Sequence, residues 1–347
     1  MGACGDDGGG GGGAGSESTG GSSVGTSNGP SSSSGGGETS VADTTAGDSG
    51  IAEDGTSTGM ETGSSDGGPG VVPLGRPAGV FGGGPFYHDA ATVMPRMRDS
   101  GFDTMILWSV HVHDDGDLVL NDQLIIEDGE YVGVEGWPEL VVSLEEEPTT
   151  VTRTEFSVGA WGVPDFDNIA MLIEAEGTGP DSILYRNFAA LKQVIPTIDA
   201  INYDDETYFQ ANPTIEFSLM LAELDYKVTF APYNNMGFWT AVYDELEVLE
   251  PGLVDRVLLQ VYAGGAGNNP ANWSAAFDGL EVEAGLWSLH GGGCSQGDTP
   301  AEVQTRLEGW SGSTVGGWMW LLDDMLACDP AAPLEDYASA IHAVYGE

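Results

Sequence analysis

Asn202, Asp204 and Glu206 occupy alternate positions in the segment Asp199-Ala200-Ile201-Asn202-Tyr203-Asp204-Asp205-Glu206. Alternate residues of a β-strand project to one face, so an extended segment gathers these three polar side chains at one strand end. Two carboxyls held that close can do acid–base work. Burial and like charge raise the pKa of one of them, so that it keeps a proton at neutral pH and can give it to a leaving group. Cleavage of a bond between sugars needs carboxyl chemistry of this kind within a few ångströms of the bond.

The elements that must position this segment are legible in the apolar periodicity. Strand-like runs fall at 79–81, 104–111, 153–160, 200–204, 227–231, 256–262, 286–289 and 317–321. Helix-like segments alternate with them at 90–99, 167–176, 183–194, 213–224, 238–248, 270–277, 300–310 and 334–345. Eight strands, each followed by a helix, predict an α/β fold closed into a (β/α)8 TIM barrel, whose active groups lie at the C-terminal strand ends. An apolar interior below Glu206, with Asp204 beside it, would keep Glu206 protonated at neutral pH. The stretch 114–151 reads as an insertion after the second strand. Its acidic turns do not complete a calcium-binding loop.

Composition divides the chain in two. Residues 1–70 hold 24 of the 54 glycines and ten Asp or Glu, with no aromatic residue, Lys or Arg. Such a segment buries too little apolar surface to offset its chain entropy and reads as a disordered Gly/Ser-rich tether. Residues 71–347 carry all nine Trp and form one domain of barrel size. That part has 45 acids against nine bases, which disfavours nucleic acid and anionic membrane surfaces as partners. No apolar run is long enough to span a membrane. Met1-Gly2-Ala3-Cys4 resembles the cleavage site of a bacterial lipoprotein signal, with Cys4 as the lipidated residue. A lipid anchor at Cys4 would be the one membrane contact of an exported protein. Cys294 and Cys328 lie in the folded part and could pair in an oxidising compartment, the alternative being two free thiols.

The fourth-strand segment resembles the DxxDxDxE signature of family 18 glycoside hydrolases, the chitinases and endo-β-N-acetylglucosaminidases. Ser157-Val158-Gly159-Ala160-Trp161 is similar to that family's SxGG segment, and Gln260-Val261-Tyr262 to its strand ending in a substrate-facing Tyr. Gly316-Gly317-Trp318-Met319-Trp320 is similar to the run leading into the Trp that floors the sugar subsite. The resemblance implies a β-linked N-acetylglucosamine-containing glycan as substrate and a retaining, substrate-assisted reaction. Glu206 would be the general acid, and Asp204 the group that orients the substrate's N-acetyl. Tyr262 would bond the acetamido group, and Trp320 would lie under the pyranose ring. No cofactor is implied, and a monomer is expected. Asn202 replaces the family's middle Asp and can hydrogen-bond Asp204 without sharing a proton. Ala160 replaces its second Gly.

Gln260, His113, Trp108, Trp161 and Tyr233 complete the expected substrate-binding set. Other aromatics near strand ends, such as Trp287, fit a sugar-lined groove or the core equally well. Two other classes of function stay open. With Asn202 in place, the barrel could bind glycan without cleaving it. Alternatively His111 and His113, an HxH pair, could with Asp323 ligate a metal as in metal-dependent barrel hydrolases, although no complete ligand set is evident.

Overall fold

The computed structural model describes residues 77–277 and 279–346. The tether expected over 1–70, and Cys4 within it, lie outside the described residues. The strands are β1 (Ala78–Gly82), β2 (Thr104–Val112), β3 (Leu118–Leu120), β4 (Gln123–Glu127), β5 (Glu130–Tyr131), β6 (Arg153–Val158), β7 (Ile198–Tyr203), β8 (Lys227–Phe230), β9 (Val254–Gln260), β10 (Glu281–Trp287) and β11 (Gly316–Trp320). Eight of them, β1, β2 and β6 to β11, run parallel, each hydrogen-bonded to the next. Because β1 pairs with both β2 and β11, the sheet closes on itself. The expected (β/α)8 barrel is therefore the fold observed. Closure leaves none of these eight strands with an unpaired edge.

Strands covered on both faces must be apolar along most of their length, and β1 is buried at all five positions. The covering helices include Ala90–Arg98, Asp165–Glu176, Ile183–Val194, Ala211–Glu223, Met236–Leu249, Pro300–Glu308 and Leu334–Tyr345. Local capping chemistry sets their starts. The Ser182 side chain accepts the Tyr185 N–H, and Thr299 with Glu302 forms a capping box. The insertion after β2 turns back as β3, β4 and β5, an antiparallel extension that pairs onto the far end of β2.

Two packing regions result. The larger lies between strands and helices, and a smaller plug of Phe81, Ile106, Ala231, Leu258 and Trp318 fills the barrel. A Cβ at Gly285 would run into the Trp318 indole, so that strand position must be glycine. Toward the N-terminal strand ends the interior is ionic, contrary to the apolar filling expected. Arg153 bonds Glu155 and Asp255, and Arg256 lies 3.5 Å from Glu283. Glu155 and Glu283 are fully buried, a placement that an adjacent guanidinium makes tolerable.

Candidate active site

The acid pair is assembled by a strand end and the loop behind it. β7 stops at Tyr203, but the Asp204 N–H still donates to Val158 O at 2.9 Å and carries the ladder one residue further. This aims the Asp204 carboxyl into the barrel mouth. There its Oδ2 accepts Trp108 Nε1–H at 3.2 Å and its Oδ1 accepts Gln260 Nε2–H at 3.0 Å. Glu206 lies beyond the strand, so strand alternation does not place it as expected. The loop brings it back, and its Oε1 accepts from the same Gln260 nitrogen at 3.2 Å. One amide thus bridges the two carboxyls. Asp205, between them, turns the other way and accepts the backbone N–H groups of Thr207, Tyr208 and Phe209. Gly159 has φ +101°, and a Cβ there would strike the carbonyl of Asp204, so this glycine lets the β6 loop pass close to the acid.

Asn202 points into the barrel but does not reach Asp204 by hydrogen bond, which corrects the expectation. Its amide is spent elsewhere: Ser157 Oγ donates to its Oδ1 at 2.8 Å, and its Nδ2 donates to Thr229 Oγ1 at 2.8 Å. Thr229 in turn donates to Glu155 Oε2 at 2.6 Å. The chain of donors runs one way, ending on a carboxylate that can only accept.

Burial, first, and the neighbouring Glu206 charge push Asp204 well above the usual carboxylate range, against the N–H bonds from Trp108 and Gln260. Burial also raises Glu206, with Asp205 adding to the rise, while hydrogen bonds from Gln260 and Asp204 oppose it. Asp204, 4% exposed, is the more deeply buried of the two, and burial raises both carboxyls, so that the pair tends to keep a proton. The rise expected for Glu206 has the cause expected of it, burial.

Aromatic side chains surround the pair. Tyr262 stacks on Trp320 with centroids 6.0 Å apart, and Trp108 meets Trp320 edge-on at 4.7 Å. The Tyr262 hydroxyl is pushed up by burial and by the charges of Asp204 and Glu206. Trp320, not the buried Trp318, is the indole at the mouth. Trp161 stands in the loop after β6, 79% exposed. Tyr233 reaches the acid's loop rather than its carboxyl, its hydroxyl donating to Glu206 O at 3.4 Å.

His113 is not brought to the pair. It sits exposed in the turn after β2, where its backbone bonds Asp117 and Gly116. His111 turns away from it, with Nδ1 3.0 Å from Asp165 and Nε2 2.9 Å from Ser109 Oγ. This is a Ser–His–Asp arrangement, but its serine is 2% exposed, and it ties β2 to the helix Asp165–Glu176. The HxH pair therefore diverges. Asp323 accepts from the Gly83 N–H. No group of three or more His, Cys, Asp or Glu placed to hold a metal ion occurs among the described residues. Cys294 and Cys328 are joined in a disulfide that ties the loop after β10 to the helix Leu322–Cys328.

Sequence reasoning missed two contributors. Gln260 was expected to bind substrate, not to bridge the carboxyls. Asp205 was passed over, although an Asp just beyond a strand end, followed by a short loop and a helix, is a composition that favours capping of backbone N–H groups.

Eight parallel strands with polar groups gathered at their C-terminal ends are the architecture of a (β/α)8 barrel with a candidate site at its mouth. Solved structures with this barrel include the GH18 chitinase ChiB of Flavobacterium johnsoniae, at 12% identity over 76% of this chain and 93% of that one, with a TM-score of 0.52. A chitinase of Bacteroides thetaiotaomicron is similar at 12% identity over 76% and 96%, with a TM-score of 0.50. The Group IV chitinase of Ostrinia furnacalis is similar at 11% identity over 78% and 99%, also with a TM-score of 0.50. Identities this low speak for the fold alone. No family model matches the chain, and no curated protein matches it.

Proposed function

We propose that the protein is a glycosidase that cleaves a β-linked, N-acetylglucosamine-containing glycan with retention of configuration. The observation that carries this reading is the Asp204–Glu206 pair, bridged by Gln260 and bordered by Tyr262, Trp108 and Trp320. Burial favours a proton on the resting pair. A substrate N-acetyl whose N–H donates to Asp204 favours the charged form there and shifts the proton to Glu206. Glu206 then protonates the glycosidic oxygen, while the acetamido oxygen attacks the anomeric carbon and forms an oxazolinium ring. The Glu206 carboxylate next takes a proton from water, and that water opens the ring from the face the leaving group had occupied. No second carboxylate nucleophile is needed. Tyr262 bonds the acetamido group, Trp320 supports the sugar face, and Trp161 with Trp108 and Tyr233 extends the contact along the glycan.

The same reading makes the protein an exported monomer held to the membrane through Cys4; the Cys294–Cys328 disulfide fits an oxidising compartment. The second reading, a barrel that binds glycan without cleaving it, is favoured by the locked Asn202 amide. The test offers chito-oligosaccharides, peptidoglycan and N-glycoproteins to the wild type and to Glu206→Gln, with products followed by mass spectrometry. Cleavage by the wild type alone supports the enzyme. Equal binding by both forms with no products supports the lectin.

A further inference from the structure

We infer that Asp205 is a positioning residue of this site, a buried carboxyl that folds the 204–210 loop so that Glu206 returns to Asp204. The inference rests on the reading of Asp204 and Glu206 as the acid pair and adds a residue that the resemblance does not assign.

The geometry is specific. Asp205 is 3% exposed, and its two oxygens accept three consecutive backbone N–H groups: Thr207 at 3.1 Å, Tyr208 at 2.8 Å and Phe209 at 2.8 Å. These residues lie between the end of β7 and the helix Ala211–Glu223, where no strand or helix partner is in place for their N–H groups. Phe209 adopts φ +50°, a left-handed conformation that a bulky residue takes only when its surroundings impose it. The Asp205 anchor supplies that imposition. With the loop tightened around Asp205, the side chains at 204 and 206 both turn to Gln260.

Burial pushes the Asp205 carboxyl up and the three N–H donors oppose that rise; in its ionised form it places a negative charge beside the pair. The charged groups that face it are Asp204 and Glu206 on its own segment and Asp167 from the helix Asp165–Glu176. All are acidic. An anion there disfavours loss of the proton from Asp204 and Glu206. The acid form of the pair therefore lasts to higher pH than it would beside a neutral residue.

The test separates anchoring from charge and does not depend on turnover. Asp205→Asn keeps an oxygen able to accept from Thr207 and Tyr208 but removes the charge, whereas Asp205→Ala removes both. Carboxyl 13C NMR of the wild type and Asp205→Asn follows the titration of Asp204 and Glu206, and circular dichroism checks that each variant is folded. In Asp205→Asn the pair should titrate at lower pH than in the wild type, and the alkaline limb of kcat should move the same way with KM little changed. In Asp205→Ala kcat should fall about 10–100-fold. Unchanged carboxyl titration in a folded Asp205→Asn would overturn the charge role, and unchanged kcat in a folded Asp205→Ala would overturn the anchoring role. If the wild type cleaves no glycan, the glycosidase reading fails, while the NMR titration still decides for or against Asp205.

Discussion

Replacing Asn202 by Asp restores the residue found in the DxxDxDxE signature, yet the structure predicts that it harms this protein. Asn202 is fully buried. Its oxygen accepts from Ser157 and its nitrogen donates to Thr229, whose proton is already given to Glu155 at 2.6 Å. A carboxyl in place of the amide keeps the first bond but turns the second donor into an acceptor facing a hydroxyl oxygen whose hydrogen is committed. Ionised, it is a buried charge lacking a donor on one side, so it is driven to stay protonated and to donate to Thr229 as the amide does. The folded-state pKa is thus raised above the unfolded value of about 3.9. A carboxyl shifted this way costs little below the unfolded pKa and destabilises progressively as pH rises toward the folded value. The cost at neutral pH is that of one unsatisfied buried polar group, about 1–3 kcal/mol. For a domain of this size that lowers Tm by about 2–4 °C per kcal/mol. Urea unfolding of Asn202→Asp and wild type at about pH 4 and about pH 7.5 measures it. The expected result is near-equal stability in acid and a deficit at neutral pH, with no gain in turnover, because Asp204 is held by Trp108 and Gln260 rather than by residue 202. A pH-independent deficit, or faster turnover, would refute the reasoning.

Glu206→Gln should lower turnover by at least about 100-fold while glycan binding persists, read by kinetics and by isothermal calorimetry on the same oligosaccharide. Because burial raises both Asp204 and Glu206, the pair stays protonated above the ordinary carboxylate range; activity should fall as pH rises through that raised titration, and a pH–rate profile checks it. Burial pushes Glu283 up to about 8 from 4.5, so its contribution to stability is complete below about 4.5 and is lost as pH climbs toward about 8. Glu283→Gln should flatten that part of the stability–pH curve. Reduction of Cys294–Cys328, which closes a 34-residue separation, should cost about 2–4 kcal/mol in denaturant unfolding without abolishing folding.

The barrel was legible because its strands are short apolar runs separated by amphipathic helices, and Ile183–Val194 and Leu334–Tyr345 fall where periodicity places them. The seventh barrel strand was misplaced at 286–289, whereas β10 begins at Glu281. Glu283 hides that strand from an apolar scan, since it faces inward toward Arg256, and pairing between distant strands has no local signature. Asp204 and Asn202 follow strand alternation, but Glu206 lies in a loop whose path depends on the Asp205 carboxylate, which the period-two pattern does not encode. The short helix Leu322–Cys328 was absent from the reading because it follows β11 directly, with no capping side chain at Leu321. His113 looked like a cleft residue on alternation from His111, but β2 ends at Val112 and the chain turns there into the antiparallel extension.

The anomeric form of the first product tests the central claim most directly. Proton NMR during the first turnovers on a β-linked chito-oligosaccharide reads it before mutarotation. The account predicts that the wild type releases the β-anomer and that Glu206→Gln releases no product. Release of the α-anomer, or cleavage that survives loss of the Glu206 carboxyl, would contradict it.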